Sequence, residues 1–316
     1  MKNIILAFLV VSLIFDYAFS EIIRKTTEEY NNGDTKEITY YDGKKEVAKE
    51  VFDEKGNISK TGYIPDGVVK EYYKSGRLRS ERSYKNNSRE GLTLHYGFEG
   101  MLETEQYYKN DKREGVGRTF YGSGKVRRLY NCKNNIEEGI SKNFFESGVL
   151  SREDIYNNGK INGISKFYFR NGKLEEEASF KNGEKDGLNK VYYRSGALEK
   201  KCFYKEDKLE GVSEIFFEEG RIKSFLQYLN GNNNGLEKHF YKNGKLREEI
   251  FHADGKMLYL KEYKEDGRLI RDEKYGGDYN FVKSALIRLL FGIPVLMFLS
   301  VLFLGFYSRA KRWLFE

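Results

Sequence analysis

The chain holds 316 residues, with 55 Lys or Arg against 48 Asp or Glu, a net +7 that at first suggests a polyanionic partner. Segments 1–20 and 281–316 hold six of the cations and two of the acids, which leaves +3 over residues 21–280, interspersed as in Arg247-Glu248-Glu249 and Lys205-Glu206-Asp207-Lys208. Nucleic-acid binding needs a clustered basic stripe and is excluded.

Residues 1–20 read as a secretory signal. Lys2 is the charged start, Ile4 to Phe15 is an apolar core too short for a spanning helix, and Ala18 and Ser20 are small residues before a cleavage point at Glu21. An uncleaved anchor is the alternative. Residues 21–66 carry degenerate repeats with the same turn vocabulary as the rest: Tyr30-Asn-Asn-Gly33, Tyr40-Tyr-Asp-Gly43 and Phe52-Asp-Glu-Lys-Gly56. They are expected to form a cap, with Lys44, Lys45, Lys49 and Glu50 on a protected sheet edge.

Residues 67–258 form eight regular units of 24 residues. A glycine opens each one, at Gly67, Gly91, Gly115, Gly139, Gly163, Gly187, Gly211 and Gly235, and a second follows nine residues later, from Gly76 to Gly244. Only eight residues separate the two, too few for an ordinary helix, and they are aromatic or β-branched and run into a turn signal such as Arg170-Asn171-Gly172. The second half of each unit carries apolar residues six apart, as in Leu78/Tyr84, Leu102/Tyr108, Leu150/Tyr156, Leu198/Tyr204 and Ile222/Tyr228. That even spacing predicts a strand with both side chains on one face, where a helix would want three and four. Each unit is therefore expected to be a β-hairpin. A lone hairpin is marginal in water, so the hairpins are expected to stack side by side over a continuous apolar row. The second glycine supplies positive φ at the turn; the first is expected to allow close backbone approach where hairpins join. At two strands per unit, about 4.8 Å each, eight units would advance on the order of 80 Å. The fold class is all-β, an elongated single-layer antiparallel sheet of stacked hairpins, plus one C-terminal transmembrane helix.

Past the array, residues 259–275 read as a closing hairpin after a unit one residue short, and 276–288 as a linker beginning Gly276-Gly277-Asp278. Residues 289–307 are an uninterrupted apolar stretch of transmembrane length. Arg309, Lys311 and Arg312 follow in the tail 308–316, with Tyr307 and Trp313 where interface aromatics belong. Together the two ends predict a single-pass membrane protein with the array exported, periplasmic or extracellular, and the C-terminus cytoplasmic.

The candidate binding feature is an aromatic ladder just before each second turn: Tyr73, Tyr121, Phe145, Phe169, Tyr193, Phe217 and Tyr241, with Gly97 as a gap. The preceding position, from Tyr72 to Phe240, is aromatic throughout and would face the other side. One reading packs a row against Val68, Leu92, Val116 and Ile140; the functional reading leaves a row open to an extended peptide or glycan. No catalytic, cofactor or metal residues are expected. His95 and His239 hold equivalent places six units apart, too far to share a metal, His252 stands elsewhere in its unit, and no hydrolase, zinc-protease or P-loop motif occurs. Cys132 and Cys202, about three units apart, cannot reach each other for a disulfide and are expected to fill apolar positions.

The pattern G-x-x-x-x-Y-Y-x-S-G-x-L-x-x-E-x-x-Y, seen at Gly187 to Tyr204 with Lys201 in place of the glutamate and spread over about residues 30–275, resembles the MORN-type repeat, and more closely the bacterial MORN-variant repeat of the YwqK-like antitoxin family. That resemblance implies single-layer sheets of hairpins that serve in protein or membrane association. The expected function is a non-catalytic, membrane-anchored scaffold for a protein or surface polymer on the exported side, with no cofactor. The antitoxin label implies the alternative of neutralising a partner toxin, and a third is an enzyme acting on surface polymer. Oligomeric state is left open.

Overall fold

The computed structural model describes residues 21–275; the expected signal, linker, membrane helix and basic tail lie outside the described residues. Among the described residues there are twenty-five strands and no helix, hence none long and apolar enough to cross a membrane. The chain divides into two units. Within the described residues the first takes 21–161 and 170–172, and the second takes 162–169 and 173–275.

In the first unit, Gly67–Tyr72 pairs antiparallel with Leu78–Lys85, and each later repeat does the same. The turn between them is a three-residue loop: the Tyr73 amide donates to the Arg77 carbonyl at 2.8 Å, the Gly76 amide to the Tyr73 carbonyl at 2.9 Å, and Gly76 has φ +83°. Such a loop requires a left-handed residue at its last position, which glycine adopts without strain. The other turn is two residues long. Asn86 and Asn87 have φ of 51° and 63°, a pair of left-handed residues that matches the twist of the flanking strands. The second unit repeats both devices, for example with Gly196 at φ +100° and Asn182-Gly183 at 54° and 94°.

Every hairpin of the eight regular units carries one extra residue on its second strand. Glu71 pairs with Ser80 and Tyr72 with Leu78, so Arg79 has no partner across the ladder. Glu103, Arg127 and Ser151 are its equivalents in the first unit, and Glu175, Glu199, Lys223 and Arg247 in the second. These β-bulges overturn one expectation. Paired residues share a face, and Tyr72 and Gly67 lie an odd number apart on the unbulged strand, so their partners Leu78 and Tyr84 face opposite sides. A spacing of six keeps one face only where no residue is inserted. The sheet therefore has a stripe face, carrying Val68/Ser83, Lys70/Glu81 and Tyr72/Leu78, and a glycine face, carrying Gly67/Tyr84, Val69/Arg82 and Glu71/Ser80.

The buried row on the glycine face is not the apolar row expected. In the first unit it runs Arg82, Thr93, Gln106, Gly117, Tyr130, and in the second Ser165, Ala178, Asn189, Cys202. Thr93, Gln106, Ser165, Ala178, Asn189 and Cys202 are all buried. At Gly117 a larger neighbour fills the row: a Cβ there would sit 2.5 Å from Tyr130 Cζ. Some of the row's polar groups find partners within it or on the neighbouring backbone, whereas Thr93 Oγ1 and Gln106 Oε1 are buried with no hydrogen-bond partner. Gln106 Nε2 donates to the Tyr107 carbonyl at 2.9 Å, and Cys202 Sγ lies 3.6 Å from Asn189 Oδ1. The opening glycines sit where hairpins join and the ladder slips, between Arg82/Thr93 and Tyr84/Arg89. At Gly91 both requirements meet, with φ at +103° and a Cβ that would come within 3.2 Å of Ser83 Cβ.

The N-terminal cap makes the first unit's sheet mixed rather than purely antiparallel, because Ile22–Glu29 runs parallel to Gly67–Tyr72. The strands Thr35–Asp42, Lys45–Phe52 and Ile58–Gly62 follow as a meander. This builds an apolar core from Ile22, Ile38, Tyr40, Ala48, Ile64, Val69 and Tyr84. Of the expected edge residues, Lys45, Lys49 and Glu50 lie on an interior strand, while Lys44 is exposed in the turn before it. Lys45–Phe52 has a strand on either side, and Glu50 is buried under the Tyr40 hydroxyl at 2.9 Å; the exposed strand is Ile58–Gly62.

Candidate functional site

The seven ladder residues each stand one position past the first strand of their hairpin, and all are half-buried. Their hydroxyls explain the burial. In the first unit Tyr73 donates to the Tyr96 carbonyl at 2.7 Å and Tyr121 to the Phe144 carbonyl at 2.6 Å. In the second, Tyr193 donates to the Phe216 carbonyl at 2.7 Å and Tyr241 to the Tyr263 carbonyl at 2.9 Å. Each tyrosine thus reaches the backbone of the next repeat, at the residue just before that repeat's own ladder position. Tyr30, which donates to the Phe52 carbonyl at 2.7 Å, belongs to the same series and was missed, although its Tyr-Asn-Asn-Gly signature was legible. At Phe145, Phe169 and Phe217 there is no hydroxyl to make this bond. Cations lie over rings of both kinds: the Arg170 guanidinium is 5.0 Å from the Phe145 centroid, Lys223 and Lys242 are each 5.9 Å from that of Phe217, and Arg79 and Arg127 lie 5.7 and 5.9 Å from those of Tyr73 and Tyr121.

At Gly97 the loop is unchanged, its amide donating to the Met101 carbonyl at 2.8 Å, but the ring is missing. A groove of about 570 Å³ opens there, lined by Phe98, Met101, Leu102, Glu103, Phe120 and Tyr121 among others. Phe98 is 59% exposed and Met101 45%, large apolar side chains held at the surface. By the register of the other repeats, the carbonyl of Phe120 is the one that a tyrosine at position 97 would reach. The groove has apolar residues beside Glu99, Glu103 and Arg127, and the Glu103 side chain lies against the position a side chain at 97 would take; a groove of similar size, about 560 Å³, also lies beside Tyr30, where the tyrosine is present.

Polar chemistry lies elsewhere. In the second unit Ser224 Oγ is 2.7 Å from His239 Nδ1, His239 Nε2 is 2.7 Å from Glu237 Oε1, and His252 Nδ1 is 3.5 Å from Glu237 Oε2. The His239 hydrogen bond, working against burial and aided by the nearby His252, holds the Glu237 carboxyl below its ordinary range. This chain was invisible in sequence because the bulged register, not local spacing, brings Ser224 opposite His239. Ser224 is only 4% exposed and its hydroxyl is already engaged. In the first unit, burial drives the Glu71 carboxyl up, but Arg24 at 2.9 Å, Arg82 at 2.8 Å and Arg79 at 3.2 Å outweigh it and hold it below the usual value. His95 is pushed down by burial, and then by Arg82. Cys132 and Cys202 are free, buried thiols that burial pushes up, away from the reactive thiolate. Among the described residues no group of three or more His, Cys, Asp or Glu is placed to hold a metal ion.

The hairpin, its two turns and the tyrosine staple recur at a fixed period, and the comparison with known families falls on that period. Five segments match the MORN repeat variant. They are residues 65–86, 137–158, 161–182, 185–206 and 233–252. MORN repeats are generally involved in protein or membrane interaction. The repeat that carries the Gly97 gap falls outside the five matched segments. No curated protein matches the chain. A crystal structure of TcdB2-TccC3-Cdc42 is similar at 11% identity over 81% of this chain, with a TM-score of 0.19 that carries no argument. The chain spans about 16% of the length of that structure's chain.

Proposed function

We propose that this chain is a non-catalytic scaffold that binds a protein partner through the gap in its turn-edge ladder. The partner would be an extended segment presenting an aromatic side chain, its ring seated between Phe98 and Tyr121. The carrying observation is the unfilled groove at Gly97 in a row whose other members are aromatic. Tyrosine is favoured over phenylalanine, because the chain's own tyrosines show what the backbone carbonyl at the end of such a slot accepts. The signal-like residues 1–20 and the apolar stretch 289–307 support placing this activity on the exported side of a membrane, with the chain held by its C-terminal segment.

The test is a titration of the full chain, in mild detergent, with N-acetyl-tyrosinamide followed by ligand-observed saturation transfer. Saturation transfer to the phenol ring that disappears in the Gly97→Tyr variant supports the reading. Equal transfer in both proteins, or none in the wild type, overturns it.

A further inference from the structure

The stripe face of the first unit carries a charge pattern that complements itself when reversed. Across successive strands of the regular array, the middle stripe reads Lys70, Glu81, Leu94, Glu105, Arg118, Leu129, Lys142, Glu153, each paired in register with the next. In sign this is plus, minus, neutral, minus, plus, neutral, plus, minus. Read backwards, every plus meets a minus and every neutral a neutral. Beside it runs an aliphatic stripe that the fold leaves uncovered: Val68 is 49% exposed, Val116 40%, Ile140 55% and Ile155 39%, with Tyr107 at 44%.

We infer that the first unit associates with a second copy of itself, stripe face to stripe face, about a two-fold axis parallel to the strands. That axis reverses strand order while keeping strand direction, so each stripe lies over its own copy. Lys70 then faces Glu153 of the second copy, Glu81 faces its Lys142, and Glu105 faces its Arg118, each contact occurring twice. In the aliphatic stripe Tyr107 meets Val116 at the axis and Val68 meets Ile155 at both ends, while the two positions between pair an apolar residue with a polar one. Eight strands at about 4.8 Å and five residues at about 3.3 Å give a face of roughly 38 by 17 Å, or about 650 Å² per copy. Both copies together then bury about 1,300 Å², within the range of stable interfaces. Over the corresponding eight strands the second unit's charge row falls short of this complementarity: Lys166, Glu177 and Lys201 would meet Glu249, Lys238 and Glu214, but Lys190 would meet Phe225. The full match belongs to the first unit, and its outermost stripe includes Leu102 and Phe120, which also line the Gly97 groove.

The experiment is sedimentation equilibrium of the full chain in mild detergent, with charge reversals. Lys70→Glu and Glu153→Lys should each raise the dimer dissociation constant by roughly tenfold or more, since each places two like-charge contacts across the interface. The double variant should return it to the wild-type value. Lys70 and Glu153 of one chain lie seven strand steps apart, about 34 Å, so a carbodiimide bond between them can form only between copies. Finding that cross-link in a covalent dimer supports the arrangement. A wild-type monomer at all concentrations, a dimer unmoved by either reversal, or a double variant no tighter than the singles overturns it.

Discussion

Replacing Gly97 with tyrosine should stabilise the first unit, which is unusual for a substitution that inserts a large side chain. Gly97 lies outside the left-handed backbone region, so a side chain is tolerated there. The atom a new Cβ would crowd is Glu103 Oε1 at 2.4 Å, the far end of a flexible carboxylate that can swing aside. Half-burying the ring in the groove removes about 100 Å² of apolar surface from water, worth about 2.5 kcal/mol. A hydroxyl donated to the Phe120 carbonyl adds about 1 kcal/mol. Ordering the tyrosine and displacing Glu103 oppose this by about 1.5 kcal/mol. The net is about 2 kcal/mol, or an upward shift in Tm of about 4 to 8 °C for a domain of this size. Circular dichroism melts of wild type, Gly97→Tyr and Gly97→Phe check it, and the phenylalanine variant should fall short of the tyrosine by about 1 kcal/mol, the hydroxyl's share. A Gly97→Tyr protein less stable than wild type would refute the reasoning, because it would mean that the gap is not shaped like the rest of the ladder.

Three further outcomes follow from the same geometry. Tyr121→Phe should cost the first unit about 1 kcal/mol in urea unfolding by removing the bond to the Phe144 carbonyl, whereas Phe217→Tyr should gain the second unit a similar amount. Gly117→Ala should cost about 1 to 3 kcal/mol, since the added methyl meets the Tyr130 ring with nowhere to move; an unchanged urea midpoint would show that the buried row is looser than described. Glu71 has its folded pKa depressed by Arg24, Arg82 and Arg79, so its contribution is present above the unfolded carboxylate value of 4.5 and is lost as pH falls through the folded value. Wild-type stability should therefore drop below pH 4.5, while Glu71→Gln, already weakened at pH 7 by about 3 kcal/mol, should show a flatter acid limb in the same titration.

The period, the hairpins and the turn glycines were legible because they rest on local rules: a strand too short to be a helix, an Asn-Gly or Ser-Gly pair, a glycine that supplies positive φ. Facing was not legible. One unpaired residue such as Arg79 or Glu199 reverses the parity on which the Leu78/Tyr84 and Leu198/Tyr204 readings depended, and nothing in its side chain marks it as the inserted one. The buried row was missed for a related reason. Thr93, Gln106, Ser165 and Asn189 look like surface residues until the pairing lines them up in one buried row. The ladder was visible as a row of aromatics, but the purpose of its tyrosines was not, since Tyr73 and the carbonyl it reaches on Tyr96 are a whole repeat apart in sequence. Gly97 was legible only as an interruption; that the interruption opens a groove required the neighbouring turn.

The most direct test of the proposed scaffold is site-specific photo-cross-linking from the gap in living cells. The full chain carrying p-benzoylphenylalanine at position 98, in place of a Phe98 that is 59% exposed, should form a discrete adduct with a partner protein on illumination. Adding Gly97→Tyr to the same chain should abolish that adduct at equal expression. An adduct that persists with the gap filled, or a position 98 that captures nothing, would contradict the account.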